Sequence, residues 1–184
     1  MVPSLHSVVA DQGEGEVPCE CFYALELDGP ARALVHALKF EGFSRAAVAL
    51  VERTVPTARL VGAGSCDVAV PVPLYSTRLR ERGFNQADKL CRALGRRLGV
   101  PLDPSLLLRT RSTRPQTGLD RARRRSNVRG AFASSARLRP GTRVLLVDDV
   151  VTTGTTLREA TGALLEAGAA GVVPFAPTGR PETG

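Results

Sequence analysis

The sequence has no Trp, and aromatic residues make up only 4% of it. It has no apolar run near the roughly 20 residues that cross a bilayer, so membrane insertion is not expected. The opening stretch MVPSLHSVVADQGEGEVP has neither a basic start nor a long apolar core. That argues against a secretory signal. The four cysteines, Cys19, Cys21, Cys66 and Cys91, include no CxxC pair. CEC is tighter than a zinc knuckle and has no second pair downstream, so no zinc is expected. His36, the one further candidate ligand, lies in an apolar helical pattern and reads as a packed core residue. Reduced, structural cysteines suit a cytoplasmic protein. Two phosphate-binding signatures are also missing. No GxxxxGK[ST] occurs, and GxGxxG is not met, since Gly154 stands alone in its loop.

Lysine is nearly absent as well. Of 25 Lys and Arg residues only Lys39 and Lys89 are lysines, against 18 Asp and Glu, giving a formal charge of +7 and a pI near 10.0. Arginine suits planar, bidentate recognition of phosphate. The surplus therefore points to an anionic partner, a phosphorylated small molecule or nucleic acid. A solvated basic surface has the same composition.

The chain is 184 residues long and 43% hydrophobic, enough for one domain with a sizeable core. Residues 1–20 read as a disordered tail, because acidic residues and glycines bury little surface. CFYALELDGP reads as a strand ending in a turn at Gly29 and Pro30. ARALVHALKF places Ala31, Leu34, Val35 and Leu38 on one helical face, and FSRAAVALVERTV gives a second helix. CDVAVPVPL reads as a buried strand entering a proline-constrained loop. NQADKLCRALGRRLG is a helix by the spacing of Ala87, Leu90, Cys91, Leu94 and Leu98. RVLLVDD, TTLREATGALLEAG and GVVPFA read as strand, helix and strand. Such alternation predicts an α/β fold with a mostly parallel central sheet flanked by helices.

The informative stretch is VLLVDDVVTTGTT, residues 144–156. Four aliphatic residues suit a parallel strand covered on both faces. Ligands of open α/β sheets sit beyond the carboxyl ends of strands, which is where Asp148 and Asp149 fall. They can accept hydrogen bonds from ribose hydroxyls or orient metal-bound water. Val151, Thr152, Thr153, Gly154, Thr155 and Thr156 then lead into a helix whose free N–H groups offer a monophosphate site. A diol acceptor beside a phosphate donor matches ribose 5-phosphate. Asp at strand ends and Thr at helix caps are also common for purely local reasons.

This stretch resembles the phosphoribosyl-pyrophosphate (PRPP) motif of type I phosphoribosyltransferases. PVPLYSTRLRERGFNQADKL, RTRSTRPQTGLDRARRRSNVRGAF and HALKFEG resemble the ComF family, amidophosphoribosyltransferase-like proteins linked to competence and DNA uptake. The resemblance implies a type I phosphoribosyltransferase domain over residues 21–184, with a small N-terminal hood at about 22–65 that selects the acceptor. It implies PRPP as ligand, with Mg2+ held through it and by Asp148 or Asp149, and a nitrogenous base or amine as an unidentified acceptor. Pro73, Leu74, Tyr75 and Ser76 become the pyrophosphate loop, in which a strained or cis peptide is often found, with Arg82 beside it. Arg111, Gln116, Arg124 and Asn127 belong to a flexible loop, and Arg111 joins Asp148 and Asp149 as a catalytic candidate. For Arg78 and Arg80 a solvated face is the simpler reading. Many ComF proteins begin with a four-cysteine zinc ribbon, whereas here only Cys19 and Cys21 lie near the start, as in an eroded ribbon. A non-catalytic PRPP-binding accessory protein working with DNA-processing partners remains open. So does direct binding of DNA by residues 109–129, although no aromatic is interleaved there for base stacking. Oligomeric state is not legible.

Overall fold

Val144, Leu145, Leu146 and Val147 are wholly buried, and they form the inner strand on which the molecule is built. The structure is a computed structural model and describes residues 5–9, 19–40, 44–111 and 130–180. Its strands are β1 (His6–Val9), β2 (Glu20–Glu26), β3 (Val68–Pro71), β4 (Leu107–Arg109), β5 (Phe132–Ser134), β6 (Arg143–Val147), β7 (Val150–Val151) and β8 (Gly171–Gly179). Its helices are α1 (Gly29–Phe40), α2 (Ser44–Leu60), α3 (Ser76–Arg82), α4 (Gln86–Leu98) and α5 (Thr155–Glu166). The main sheet runs in the order β1-β2-β8-β6-β3, with β7 also pairing β8. All its pairs are parallel except β1 with β2. The expected α/β class with a mostly parallel sheet is therefore what is found.

Side chains alternate across β6, as strand geometry requires. Val144 and Leu146 join a core with Leu157, Ala160 and Leu164 of α5. Leu145 and Val147 join a second core with Val35 and Leu38 of α1, Leu50 of α2 and Leu90 of α4. Helices thus cover both faces, which is why an inner strand can be aliphatic throughout. β4 and β5 form a separate antiparallel ribbon.

Several elements differ from the sequence reading. Gly29 and Pro30 are the first residues of α1 rather than a turn. Proline's fixed φ and missing N–H suit a helix start. α2 runs on through Pro56 to Leu60. His36 is exposed rather than packed, its ring 4.6 Å from that of Phe40. Within the segment read as a tail, β1 pairs with β2, and the His6 ring stacks on Tyr23 at 5.0 Å. Residues 22–65 contribute β2 to the main sheet and α1 and α2 to one of its faces.

β8 is longer than GVVPFA suggests, and its end matters for the site. β6 and β7 share one register with β8, Val147 opposite Phe175 and Val150 opposite Thr178. Asp148 N–H still donates to Phe175 O at 3.1 Å. Pro177 falls opposite Asp149 in that register and has no N–H for the next rung, so the ladder opens at the two aspartates. Pairing resumes at Thr178 and Gly179. Here Gly179 is required: a Cβ would stand 2.5 Å from Cγ of the buried Tyr23 ring.

Candidate functional site

The opened ladder and the start of α5 enclose a pocket of about 40 Å³. Its lining is Asp148, Val150 to Leu157 without a break. A volume of that size holds a few waters or one small anion. Gly154 precedes α5 with φ 68 and ψ −6, a left-handed conformation that a side chain would strain. No side chain caps this helix start, so its first N–H groups face the pocket without a built-in acceptor. Thr153 and Thr155 share a hydroxyl–hydroxyl hydrogen bond of 2.9 Å. Cys21, buried in β2, donates its thiol to Gly154 O at 3.8 Å. A hydrogen bond with Cys19 and then burial push that thiol up, so it stays protonated.

The two aspartates occupy different surroundings. Asp149 is 6% exposed, and its Oδ2 lies 2.5 Å from Lys39 Nζ at the end of α1. Its N–H donates to Asp148 Oδ1 at 2.8 Å, and its carbonyl accepts from Thr178 Oγ1 at 3.0 Å. Asp148 lines the pocket. Desolvation, then the charge of Asp149, push its carboxyl up to about 8, against the Asp149 N–H and the Lys39 ammonium, which pull it down. A carboxylate so disfavoured gains most from a cation or from hydroxyl donors.

β3 delivers the second loop to the same edge. Pro71 pairs with Val147, and Val72 N–H donates to Val147 O at 2.8 Å, so residues 73–76 leave the sheet beside Asp148. Pro73, Leu74 and Tyr75 are partly buried, while Ser76 is exposed and already begins α3. Among the described residues every peptide is trans. The RGFNQ segment holds this loop in place. Asn85 caps α4 by accepting from Ala87 N–H at 3.1 Å, and its amide donates to Val72 O at 3.0 Å. Arg82 donates to Gln86 Oε1 at 2.6 Å and lies 5.8 Å from the centre of the Phe40 ring.

Two residues near the site were not singled out from sequence. Lys39 was noted only as one of the two lysines and as part of HALKFEG. Arg109, taken only as a loop boundary, ends β4 with its guanidinium 5.3 Å from the Phe132 ring centre. Burial lowers its pKa, the nearby Asp148 charge opposes that, and Arg78 adds to it. Arg78, exposed as expected, is thus close enough to act on the same cluster. Arg111 is exposed just beyond β4. Gln116, Arg124 and Asn127 lie outside the described residues. Among the described residues no helix is long and apolar enough to cross a membrane, and no three His, Cys, Asp or Glu side chains gather to hold a metal ion.

The mostly parallel sheet flanked by helices, with two adjacent aspartates and an uncapped helix start at one strand end, is the fold of a type I phosphoribosyltransferase domain. Residues 80–178 match the phosphoribosyl transferase domain family. The DNA utilization protein YhgH of Salmonella typhi is 40% identical over 147 residues, covering 78% of this chain and 64% of that protein. Competence protein F of Haemophilus influenzae is 45% identical over 95 residues, 50% of this chain and 42% of that protein. Competence protein ComFC of Bacillus subtilis is 35% identical over 106 residues, 58% of this chain and 41% of that protein. The chain belongs to the ComF family of the phosphoribosyltransferase superfamily.

Proposed function

We propose that the protein binds PRPP with Mg2+ and transfers its phosphoribosyl group to a nitrogenous acceptor, releasing pyrophosphate. The observation that carries this reading is that Asp148 and the uncapped start of α5 line one pocket together. The N–H groups of residues 153–156 and the Thr hydroxyls take the 5-phosphate, favoured by the helix dipole. Asp148, with Asp149 beside it, supplies acceptors for the ribose hydroxyls. The loop at Pro73 to Ser76 is close enough to follow the pyrophosphate.

The residues fit Mg2+ only as a cation carried by the ligand. Asp148 is one hard carboxylate, and among the described residues there is no protein cage of three. Magnesium prefers such a site, with phosphate oxygens completing its shell, and it would neutralise the departing diphosphate. In transfer, the bond from ribose C1 to the pyrophosphate oxygen breaks as a bond from C1 to the acceptor nitrogen forms. The acceptor gives up a proton. Positive charge develops on the ribose ring, as in glycoside chemistry. The Asp148 carboxylate would offset it, and Arg109, near enough to feel the Asp148 charge, with Arg111 just beyond β4, would partner the leaving-group charge.

Calorimetric titration of PRPP with and without Mg2+ tests binding. Pyrophosphate release with a panel of bases and amines then tests transfer. Absence of Mg-dependent PRPP binding would overturn the proposal. Binding without release under any acceptor would favour a PRPP-binding accessory protein in DNA uptake, a reading supported by the names DNA utilization protein and Competence protein among the relatives.

A further inference from the structure

Cys19 directly precedes β2 and Cys21 lies within it, so their thiols leave the same face of the chain, towards α5. Cys21 is wholly buried and Cys19 is half-buried. Cys19 opens on a cavity of about 750 Å³ between β2, β5, β8 and α5, room enough for a small organic molecule. The walls mix apolar Phe132 and Val172 with the ion pair of Arg158 and Glu159 at 2.6 Å. Thr161 lines the same space, only 8% exposed, and its hydroxyl makes no regular hydrogen bond. A buried hydroxyl left in that condition is costly, and a thiolate at the neighbouring Cys19 would accept from it. The Cys21 thiol, and against burial also the Thr161 hydroxyl, hold the Cys19 thiol below its ordinary range. Cys66 and Cys91 have no such surroundings, and burial pushes both of their thiols up.

A thiolate is the nucleophile of thiol chemistry, and a second thiol within hydrogen-bond reach can resolve what the first one captures. Cys21 is that second thiol, and its Sγ also lies 3.8 Å from Gly154 O. Two residues of strand span about 6.6 Å, near the upper limit for a disulfide, so a bond between the pair would be easily reduced again. We propose that Cys19 and Cys21 form a thiol-exchange site: Cys19 takes a low-molecular-weight disulfide from the cavity, Cys21 resolves it, and the bond between them releases Gly154. The Cys19 thiolate attacks one sulfur of the incoming disulfide, and the other half leaves as a thiolate. Cys21 gives its proton to solvent and attacks Cys19 Sγ of the mixed disulfide, and the second half leaves as a thiolate. Both leaving thiolates take up a proton. Two cysteine thiols are thus oxidised while one small disulfide is reduced to two thiols. Cys21 then has no S–H for Gly154 O, at the left-handed residue that starts α5. None of this requires PRPP.

The test incubates the full, reduced chain with oxidised glutathione and maps its cysteines by mass spectrometry. The unaltered protein should lose two hydrogens, keep no adduct and carry a bond between Cys19 and Cys21, with Cys66 and Cys91 still free to alkylate after unfolding. Cys21→Ser should stop at a mixed disulfide on Cys19. Cys19→Ser should slow oxidation of Cys21 about tenfold or more, because the buried thiol is then left without its reactive neighbour. Thr161→Val keeps the shape and should move alkylation of Cys19 to higher pH, which a purely structural role would not do. Amide hydrogen exchange at residues 153–156 should quicken about 2-fold on oxidation, the scale of one weak hydrogen bond, and dithiothreitol should restore it. Both thiols intact after treatment, or a lasting adduct on Cys19 of the unaltered protein, overturns the exchange site. Oxidation of Cys21 at an unchanged rate in Cys19→Ser overturns it too. A bond that forms without any change in exchange at 153–156 overturns its hold on Gly154.

Discussion

Replacing Asp148 by Asn should make the ligand-free protein more stable while weakening its hold on ribose. In the folded chain this carboxyl is raised from 3.8 to about 8, first by desolvation. A group raised in this way contributes stability fully below its unfolded value, and that stability is lost as pH rises towards the folded value. The unaltered protein therefore weakens between about pH 4 and about pH 8, and the Asn variant does not share that loss. One pKa unit is worth about 1.4 kcal/mol, so between about pH 5 and about pH 7 the gap between the two proteins widens by at most about 3 kcal/mol. Partial solvent access reduces this to about half, on the order of 1.5 kcal/mol, or about 3–6 °C in Tm for a chain of this size. Asn keeps an oxygen for the Asp149 N–H, which Asp148 Oδ1 now accepts at 2.8 Å. Thermal unfolding of both proteins at the two pH values, without ligand, is the assay. A variant less stable at neutral pH, or a gap that does not change with pH, would refute the claim that Asp148 carries a strained charge. Loss of PRPP affinity in the same variant completes the trade of stability for function.

Gly154→Ala should cost about 1–2 kcal/mol, because φ is 68 there, and weaken PRPP more than 2-fold by distorting the helix start; equal PRPP affinity would show that this loop does not hold the 5-phosphate. Asn85→Ala should lower stability by about 1–2 kcal/mol in denaturant unfolding, losing both a cap and the tie to Val72 O, whereas Asn85→Asp keeps the cap alone and should fall between. Arg111→Ala should weaken PRPP binding or slow pyrophosphate release if residues 109–129 close on the ligand; a change confined to the salt dependence of DNA binding would move the segment to nucleic acid.

The carboxylates and the phosphate loop were legible because the whole device is contiguous: a buried strand, two acids and a helix start within 144–156. Lys39 and Arg109 were not, because only the sheet order brings α1 and β4 to the end of β6. α3 escaped notice for a related reason. It buries no side chain, so STRLRER carries no apolar period to read. Pro177 lay in plain view in the sequence, yet its effect depends on register, which fixes that it faces Asp149. The bracing contacts within RGFNQ were not legible either: Asn85 caps α4 and ties to Val72 O, and Arg82 donates to Gln86 Oε1, which depends on how α4 meets the loop after β3.

The strand order also governs how the protein can be made. β8 lies between β2 and β6, yet it emerges from the ribosome after every other described strand. Until then β2 has only β1 beside it, β6 has only β3, and Asp148 has no Phe175 carbonyl to anchor its N–H. Two half-sheets with open apolar edges must wait for the element that joins them, and such edges invite pairing between chains. Slow translation near the end of the message should therefore raise aggregation, and a chaperone that shields strand edges should matter more for this domain than its modest length suggests.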